Sequence, residues 1–312
     1  MAMHMIGAYT GPIVNSSGNR NRMHQFAGFI GRKPDFQMDF MNGATFATMV
    51  EPWIPHGWRK FGATTLVITV PLIPAQVTAG GAAATLAAAA AGTYNSYYAN
   101  LMAKYQECGF QNAIIRLGHE FNGTWYPWRA DQGREAVFVG AWRQAVTQIR
   151  NSSNGGGSGV SFRFDWCPTW GTPSNCDVEA CYPGDEYVDV IGLDVYNQHF
   201  PFITDPAGRW NAIRTNRYGL DWQASFAAAH GKPISFPEWG TGLRMSGGVP
   251  ENPQNGAGDD PTFVRNMAAW INSHPVLYHS YWDFQAPDLD TRLSDYIFPK
   301  VTQAYRAAFR EE

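Results

Sequence analysis

Charge is scarce in this chain, and no run of one sign occurs. Only 16% of the 312 residues are Asp, Glu, Lys or Arg, and the net charge is −3. That excludes the basic stripe needed to hold nucleic acid or an anionic membrane surface. Long apolar runs are missing as well. The longest, around Ala82–Ala91, is Ala-rich and well short of the roughly 20 residues that span a bilayer. Cysteine is limited to Cys108, Cys167, Cys176 and Cys181, in no zinc or redox spacing. Cys176 and Cys181 share one polar loop and have the spacing for a small disulfide, which suits an exported protein. Cys108 and Cys167 stand beside strand-like runs and read as buried thiols. There is no HExxH-type metal pattern, and Ser235 lacks the G-x-S-x-G setting of a nucleophilic serine. No Gly-rich phosphate fingerprint follows the first strand-like run. No Lys stands at a strand end as an aldolase or lyase would require. No cofactor and no metal in the site is expected, and a structural cation stays open.

Aromatic residues are plentiful, at 14% with twelve Trp. Many sit beside Pro, Gly or charge, as in Glu51-Pro52-Trp53, Tyr126-Pro127-Trp128-Arg129 and Glu238-Trp239-Gly240. Core strands seldom read like that. Trp in loops suits a groove that stacks flat apolar faces, such as those of sugar rings. For Trp128, Trp166 and Trp170, groove and core readings both stand. His56, His199 and His279 read as packing or surface histidines.

Short apolar runs recur with helical stretches between most of them. Strands are expected at Met5–Ala8, Phe36–Met41, Thr65–Val70, Ala113–Leu117, Ser161–Trp166, Val188–Asp194, Pro233–Pro237 and Val276–Trp282. Helical spacing covers Ala82–Cys108, Glu135–Asn151, Trp222–His230, Thr262–Ser273 and Thr302–Arg310. Near-continuous apolar strands suit a parallel sheet covered on both faces. Eight of them alternating with helices predict a (β/α)8 TIM barrel, of the α/β class, as a single domain over residues 1–312. The glycine-rich Asn151–Gly159 loop would lie at the barrel's bottom. Asn197–Asp221 and Thr241–Pro261 would lie on the top face, where barrel active sites are built.

Two strand ends carry a glutamate: Glu120 after Ala113–Leu117, and Glu238 after Pro233–Pro237. As strands four and seven they face each other across the barrel mouth. A pair of carboxyls suits glycosidic cleavage. One, protonated, assists the leaving oxygen, and the other, ionised, attacks the anomeric carbon. The plainer alternative makes each Glu the structural partner of an Arg. Arg116, two residues inside strand four, would bond either the nucleophile or another carboxylate such as Asp39 or Asp165.

The segment Gly118-His119-Glu120-Phe121-Asn122-Gly123-Thr124-Trp125 resembles the acid/base signature of glycoside hydrolase family 26. Tyr182 to Tyr196, Phe236-Pro237-Glu238-Trp239-Gly240 and Tyr281-Trp282-Asp283 resemble that family's strands six, seven and eight, in the right order. The resemblance implies retaining endo-hydrolysis of a β-linked polysaccharide, most often β-1,4-mannan. β-1,3-Xylan, mixed-linkage β-glucan or a bacterial exopolysaccharide are alternatives, and a non-catalytic carbohydrate-binding barrel is the rival of another class. Carried over residue by residue, it makes Glu120 the acid/base and Glu238 the nucleophile. His119, Trp125 and Trp282 are implied substrate contacts, Tyr196 a hydrogen-bond donor to the nucleophile, and Asp194 a holder of sugar hydroxyls or neighbouring side chains. Arg116 and Trp128 complete the expected substrate-binding set. A monomer acting outside the cytoplasm, in the extracellular space or periplasm, is expected.

Overall fold

A computed structural model describes residues 4–13, 17–60, 62–154 and 159–310. Eight parallel strands form a barrel: β1 (Met5–Tyr9), β2 (Gln37–Phe40), β3 (Leu66–Val70), β4 (Ile114–Leu117), β5 (Arg163–Trp166), β6 (Val190–Gly192), β7 (Ile234–Gly240) and β8 (Val276–Trp282). Hydrogen-bonded pairing runs from β2 through β7 in chain order, then to β8 and back to β1. Among the described residues, the seam between β1 and β2 has no ladder. There the Asp35 amide donates to the Ile6 carbonyl, and the Ile6 amide donates to the Asp35 carboxylate, both at 2.8 Å. The expected barrel is therefore present, nearly closed.

Alternation along the strands explains its interior. Met38, Val67, Ile114, Val190 and Tyr278 pack together inside as an apolar lower layer. Two residues further along β3 and β4, on the same face, come Thr69 and Arg116, which are in register with each other and with Asp165. The barrel thus turns from apolar to polar toward its top. Small residues make room: a Cβ at Gly7 would lie 2.4 Å from the Phe36 ring, and one at Gly192 would lie 2.4 Å from Asp165 Oδ1. The outer faces of the strands carry Ile68, Ile115, Leu117 and Phe236, which join the larger core under the helices.

Three expectations need correction. Ala82–Cys108 is not one helix. It divides into Leu86–Ala90, Asn95–Tyr98 and Ala103–Glu107. Gly92 takes a left-handed φ of +81°, which ends the first segment, and tighter three-residue turns link the rest. The apolar spacing was sound, since Leu86, Tyr94, Tyr98, Leu101 and Tyr105 are all buried. The helix from Glu135 continues to Asn154 and takes in the start of the expected loop; residues 155–158 of that loop lie outside the described residues. Cys176 and Cys181 are buried, with sulfurs 3.5 Å apart and unbonded. Cys108 and Cys167 are buried free thiols, as expected.

β6 stops at Gly192, earlier than its apolar run. The chain then forms a second short parallel pairing, Val195–Tyr196 against Trp239–Gly240. That pairing prolongs β7, so Glu238 lies within the strand rather than past it. The top-face segments are also structured. Asn197–Asp221 contains the helix Pro206–Thr215, capped by Asp205. Thr241–Pro261 contributes Leu243–Ser246 and Val249–Pro250 to a small antiparallel sheet with Leu289–Asp290.

Candidate active site

Glu238 stands on β7 with its carboxylate held from two sides. Arg116 Nη1 donates to Oε1 at 2.5 Å, and the Tyr196 hydroxyl donates to Oε2 at 2.8 Å. Arg116 is fully buried. It also donates to Thr69 Oγ1 at 3.2 Å and, through Nη2, to Asp194. Asp194 in turn accepts from the Glu238 amide at 3.1 Å and from the Cys167 thiol at 3.3 Å. Both readings of Arg116 are met at once, since it bonds Glu238 and another carboxylate, Asp194. Asp39 and Asp165 have other partners. Asp39 accepts from the Ile13 amide and Trp58 Nε1, each at 2.8 Å. Asp165 accepts from Ser235 Oγ at 2.6 Å and Tyr278 Oη at 2.5 Å.

Glu120 has a different setting. The chain leaves β4 through Gly118, at φ +51°, and Glu120 itself sits at φ +49°. A left-handed glutamate is uncommon and costs on the order of 1 kcal/mol. The turn is pinned by Glu120 N to Cys167 O at 2.8 Å and Gly123 N to Glu120 O at 2.9 Å. The half-buried carboxyl accepts from Trp125 Nε1 at 2.9 Å. Burial, and then the charge of Glu238, push its pKa up to about 7. Arg116 and the Trp125 hydrogen bond pull the other way without cancelling this. Burial also drives the Asp194 pKa well up, against the pull of Arg116. Three carboxyls thus face one guanidinium, and burial favours the protonated form of two of them, Glu120 and Asp194.

Around the carboxyls stand aromatic rings. Trp282 at the end of β8 lies 4.2 Å from Tyr9, centroid to centroid, and 5.7 Å from Phe40. Tyr196 stands edge-on to Trp282 at 6.3 Å. Trp125 is half exposed at the rim. His119 is buried, and its Nε2 lies 2.9 Å from Tyr126 Oη. Burial, and then Arg116, hold the His119 pKa well below the ordinary value, so the ring is neutral. Trp128 is buried too. It stacks on Tyr126 at 4.5 Å and 10°, and its Nε1 donates to the His119 carbonyl at 2.7 Å.

The structure therefore brings together Arg116, His119, Glu120, Trp125, Trp128, Asp194, Tyr196, Glu238 and Trp282 at one end of the barrel. Of the ambiguous tryptophans, Trp166 is core, packed on Phe121, whereas Trp170 is half-buried and donates to the Tyr196 carbonyl at 3.1 Å. Trp239, read above as a groove residue, is fully buried against Tyr281 and Tyr305. The register of β7 against β8 shifts between Phe236 and Trp239, so the alternation is reset there: Glu238 points inward, and Phe236 and Trp239 both pack in the core under the helices. Sequence reasoning passed over Tyr9, Phe40 and Tyr126. Tyr9 and Phe40 are the last residues of β1 and β2, and the strand-end rule that found the glutamates would have found them. Among the described residues, no group of three or more His, Cys, Asp or Glu is placed to hold a metal ion.

Fold and site together match one class of protein, the barrel glycoside hydrolases. Within that class, the model of glycosyl hydrolase family 26 matches residues 94–221, and the family resemblance read from the sequence is borne out. That segment holds Arg116, Glu120, Asp194 and Tyr196 and ends before Glu238. Endoglucanase H of Acetivibrio thermocellus is 24% identical along 97% of this chain, a stretch that is 30% of its own length. A mannan endo-1,4-beta-mannosidase of Bifidobacterium adolescentis is 26% identical along 50% of the chain and 14% of its own length. The chain thus spans less than a third of either relative. Among solved structures, a modular endo-beta-1,4-mannanase from Cellulomonas fimi superposes with a TM-score of 0.63 at 20% identity, covering 99% of this chain and 74% of that one. At that identity the likeness is one of fold.

Proposed function

We propose that the chain is a retaining endo-glycoside hydrolase whose first substrate is β-1,4-mannan. Glu120 is the acid/base and Glu238 the nucleophile. The observation that carries this reading is the unequal treatment of two glutamates at one rim. Glu120, with its pKa near 7, holds a proton where a glycosidic oxygen needs one. Glu238 has both oxygens occupied by donors, which orient it for attack. In the first step Glu120 protonates the leaving oxygen while Glu238 bonds to the anomeric carbon. In the second, Glu120 takes a proton from water, which displaces Glu238 and restores the configuration. Trp282, Tyr9 and Phe40 wall the sugar under attack, and Trp125 supplies a platform beside the acid.

The relatives named for mannan support mannan as the substrate. A second reading, the same chemistry on a β-glucan, is favoured by the endoglucanase that aligns along almost the whole chain. The chain would work as one catalytic domain and a monomer. It would act outside the cytoplasm, where such polymers occur.

The test is reducing-sugar release from mannan, β-glucan, β-1,3-xylan and bacterial exopolysaccharides by wild type, Glu120→Ala and Glu238→Ala. NMR would report the anomer released first. One polymer cut by wild type, spared by both variants and yielding the β-anomer supports the reading. Activity that survives both substitutions removes the assignment, and an α-anomer removes the retaining mechanism.

A further inference from the structure

His119 and Trp128, two of the substrate contacts expected from sequence, both lie behind Tyr126. Trp128 stacks on the Tyr126 ring and is tied to the His119 backbone. His119 is 2% exposed and meets Tyr126 Oη through Nε2. Tyr126 itself is half-buried, beside the exposed Trp125, and within the field of Glu120, Glu238, Arg116 and Asp194. It is the one member of this stack that is not buried.

The neutral His119 ring has one N–H to place. Nδ1 is buried and has no hydrogen-bond partner among the described residues. A hydrogen on Nδ1 would be a buried donor without an acceptor, the kind of orphan that folded proteins rarely keep. On Nε2 the same hydrogen meets Tyr126 Oη at 2.9 Å. The histidine then donates, the phenol oxygen accepts, and the Tyr126 hydrogen remains available to another acceptor. Its ring is clamped by Trp128, so that hydrogen is offered from a fixed point next to Glu120.

We propose that Tyr126 is the substrate contact of this group. It donates its hydroxyl hydrogen to a sugar oxygen beside the scissile bond, and His119 and Trp128 are positioning residues that act through it. The proposal rests on the hydrolase reading and adds to it a specificity-determining residue. The sugar must present an acceptor oxygen at that point. An epimer or deoxy analogue that lacks it there loses the contact.

Tyr126→Phe keeps the ring and the stack and removes only the hydroxyl. It is expected to lower kcat/KM about tenfold on the preferred polymer, the scale of one neutral hydrogen bond. His119→Ala should cost a similar factor in wild type and less than twofold in the Tyr126→Phe background, because its effect passes through the hydroxyl. Histidine ¹⁵N spectra of wild type should show His119 protonated at Nε2. Unchanged kcat/KM in Tyr126→Phe, fully multiplicative losses in the double variant, or an Nδ1-protonated His119 would each overturn the proposal. The spectra need no turnover. A wild type inactive on every polymer would therefore count against the hydrolase reading and with it this contact, while an Nδ1-protonated His119 in an active enzyme would overturn this proposal alone.

Discussion

Arg116→Met is the substitution whose cost follows most directly from the structure. The guanidinium has no exposed surface and bonds Glu238, Asp194 and Thr69. Methionine fills much of the space but leaves two buried carboxyls without their cation. Breaking a buried ion pair from one side costs about 3–5 kcal/mol. Two acids share this partner, so the upper part of that range is expected at pH 7.5. The deficit must depend on pH. Without Arg116 the burial that already raises the Asp194 pKa meets less opposition, and the orphaned carboxyls favour their protonated forms. Their contribution is then intact at low pH and is lost as pH rises through the raised values. At pH 5 the protonated carboxyls need no cation, and the deficit should shrink to about 1–2 kcal/mol. Urea unfolding of wild type and variant at both pH values measures this, with a Tm lowered by on the order of 10 °C at pH 7.5. A deficit under about 1 kcal/mol at pH 7.5, or the same deficit at both pH values, would refute the account of Arg116 as the charge that the site is built around.

Three further outcomes are expected. With Glu120 at about 7, kcat/KM should fall as pH rises through 7, because the ionised form has no proton to give. Trp125→Phe removes a hydrogen bond that favours that ionised form, so this limb should move to higher pH; a limb that stays or moves down contradicts the assignment. Tyr196→Phe deletes the donor to Glu238 Oε2 and should lower kcat by about ten- to a hundredfold with little change in KM, read from steady-state kinetics on the preferred polymer. Asp39, Asp165 and Asp283 are each pushed up to about 6, with burial the largest cause. Each therefore contributes stability that is full below about pH 4 and is lost as pH rises through 6. Chemical denaturation at pH 4.5, 6 and 7.5 should show stability falling across the series, and a rise would show that these carboxyls are ionised in the fold.

Eight strands were legible because parallel strands covered on both faces read as apolar runs, and none of the eight was misplaced by more than a few residues. The rim glutamates were legible because the barrel rule says where to look. What stayed hidden depended on backbone turns with no periodic signal. Ser17–Ile30, with its polar start, carries no clear apolar stripe and was not foreseen as a helix. The break at Gly92 is a single left-handed residue inside a run that is otherwise helical in spacing. Tyr126 and Trp128 are both aromatic and two residues apart. Nothing in that spacing says which faces the site, because the answer lies in the turn that leads from Glu120. Arg116 was legible as an inward charge, but its partners come from β7 and from the segment after β6, and single-chain order does not reveal those contacts.

The two glutamates are the same residue type on equivalent strand ends, so the difference in their proposed roles has to come from the backbone. β7 is carried past its expected end by pairing with Val195–Tyr196 on one side and with Tyr281 on the other. Glu238 points inward from this paired stretch, at the register shift between Phe236 and Trp239, where it meets Arg116 and where Tyr196 is delivered by the same extra pairing. β4 receives no such extension. It gives way to Gly118 and a left-handed Glu120, which lifts that carboxyl off the Arg116 layer and leaves it with one indole donor and two acidic neighbours. A pairing of two residues on one strand, and its absence on the other, is enough to give one glutamate two donors and the other a proton. Moving Glu120 onto a regular strand position by restoring ordinary backbone geometry at Gly118 would, on this argument, bring it under Arg116 and lower its pKa. Gly118→Ala tests that, because a Cβ there would lie 2.9 Å from Leu72 Cβ on a residue at φ +51°. The expected result is a basic limb of kcat/KM that shifts to lower pH together with a loss of activity.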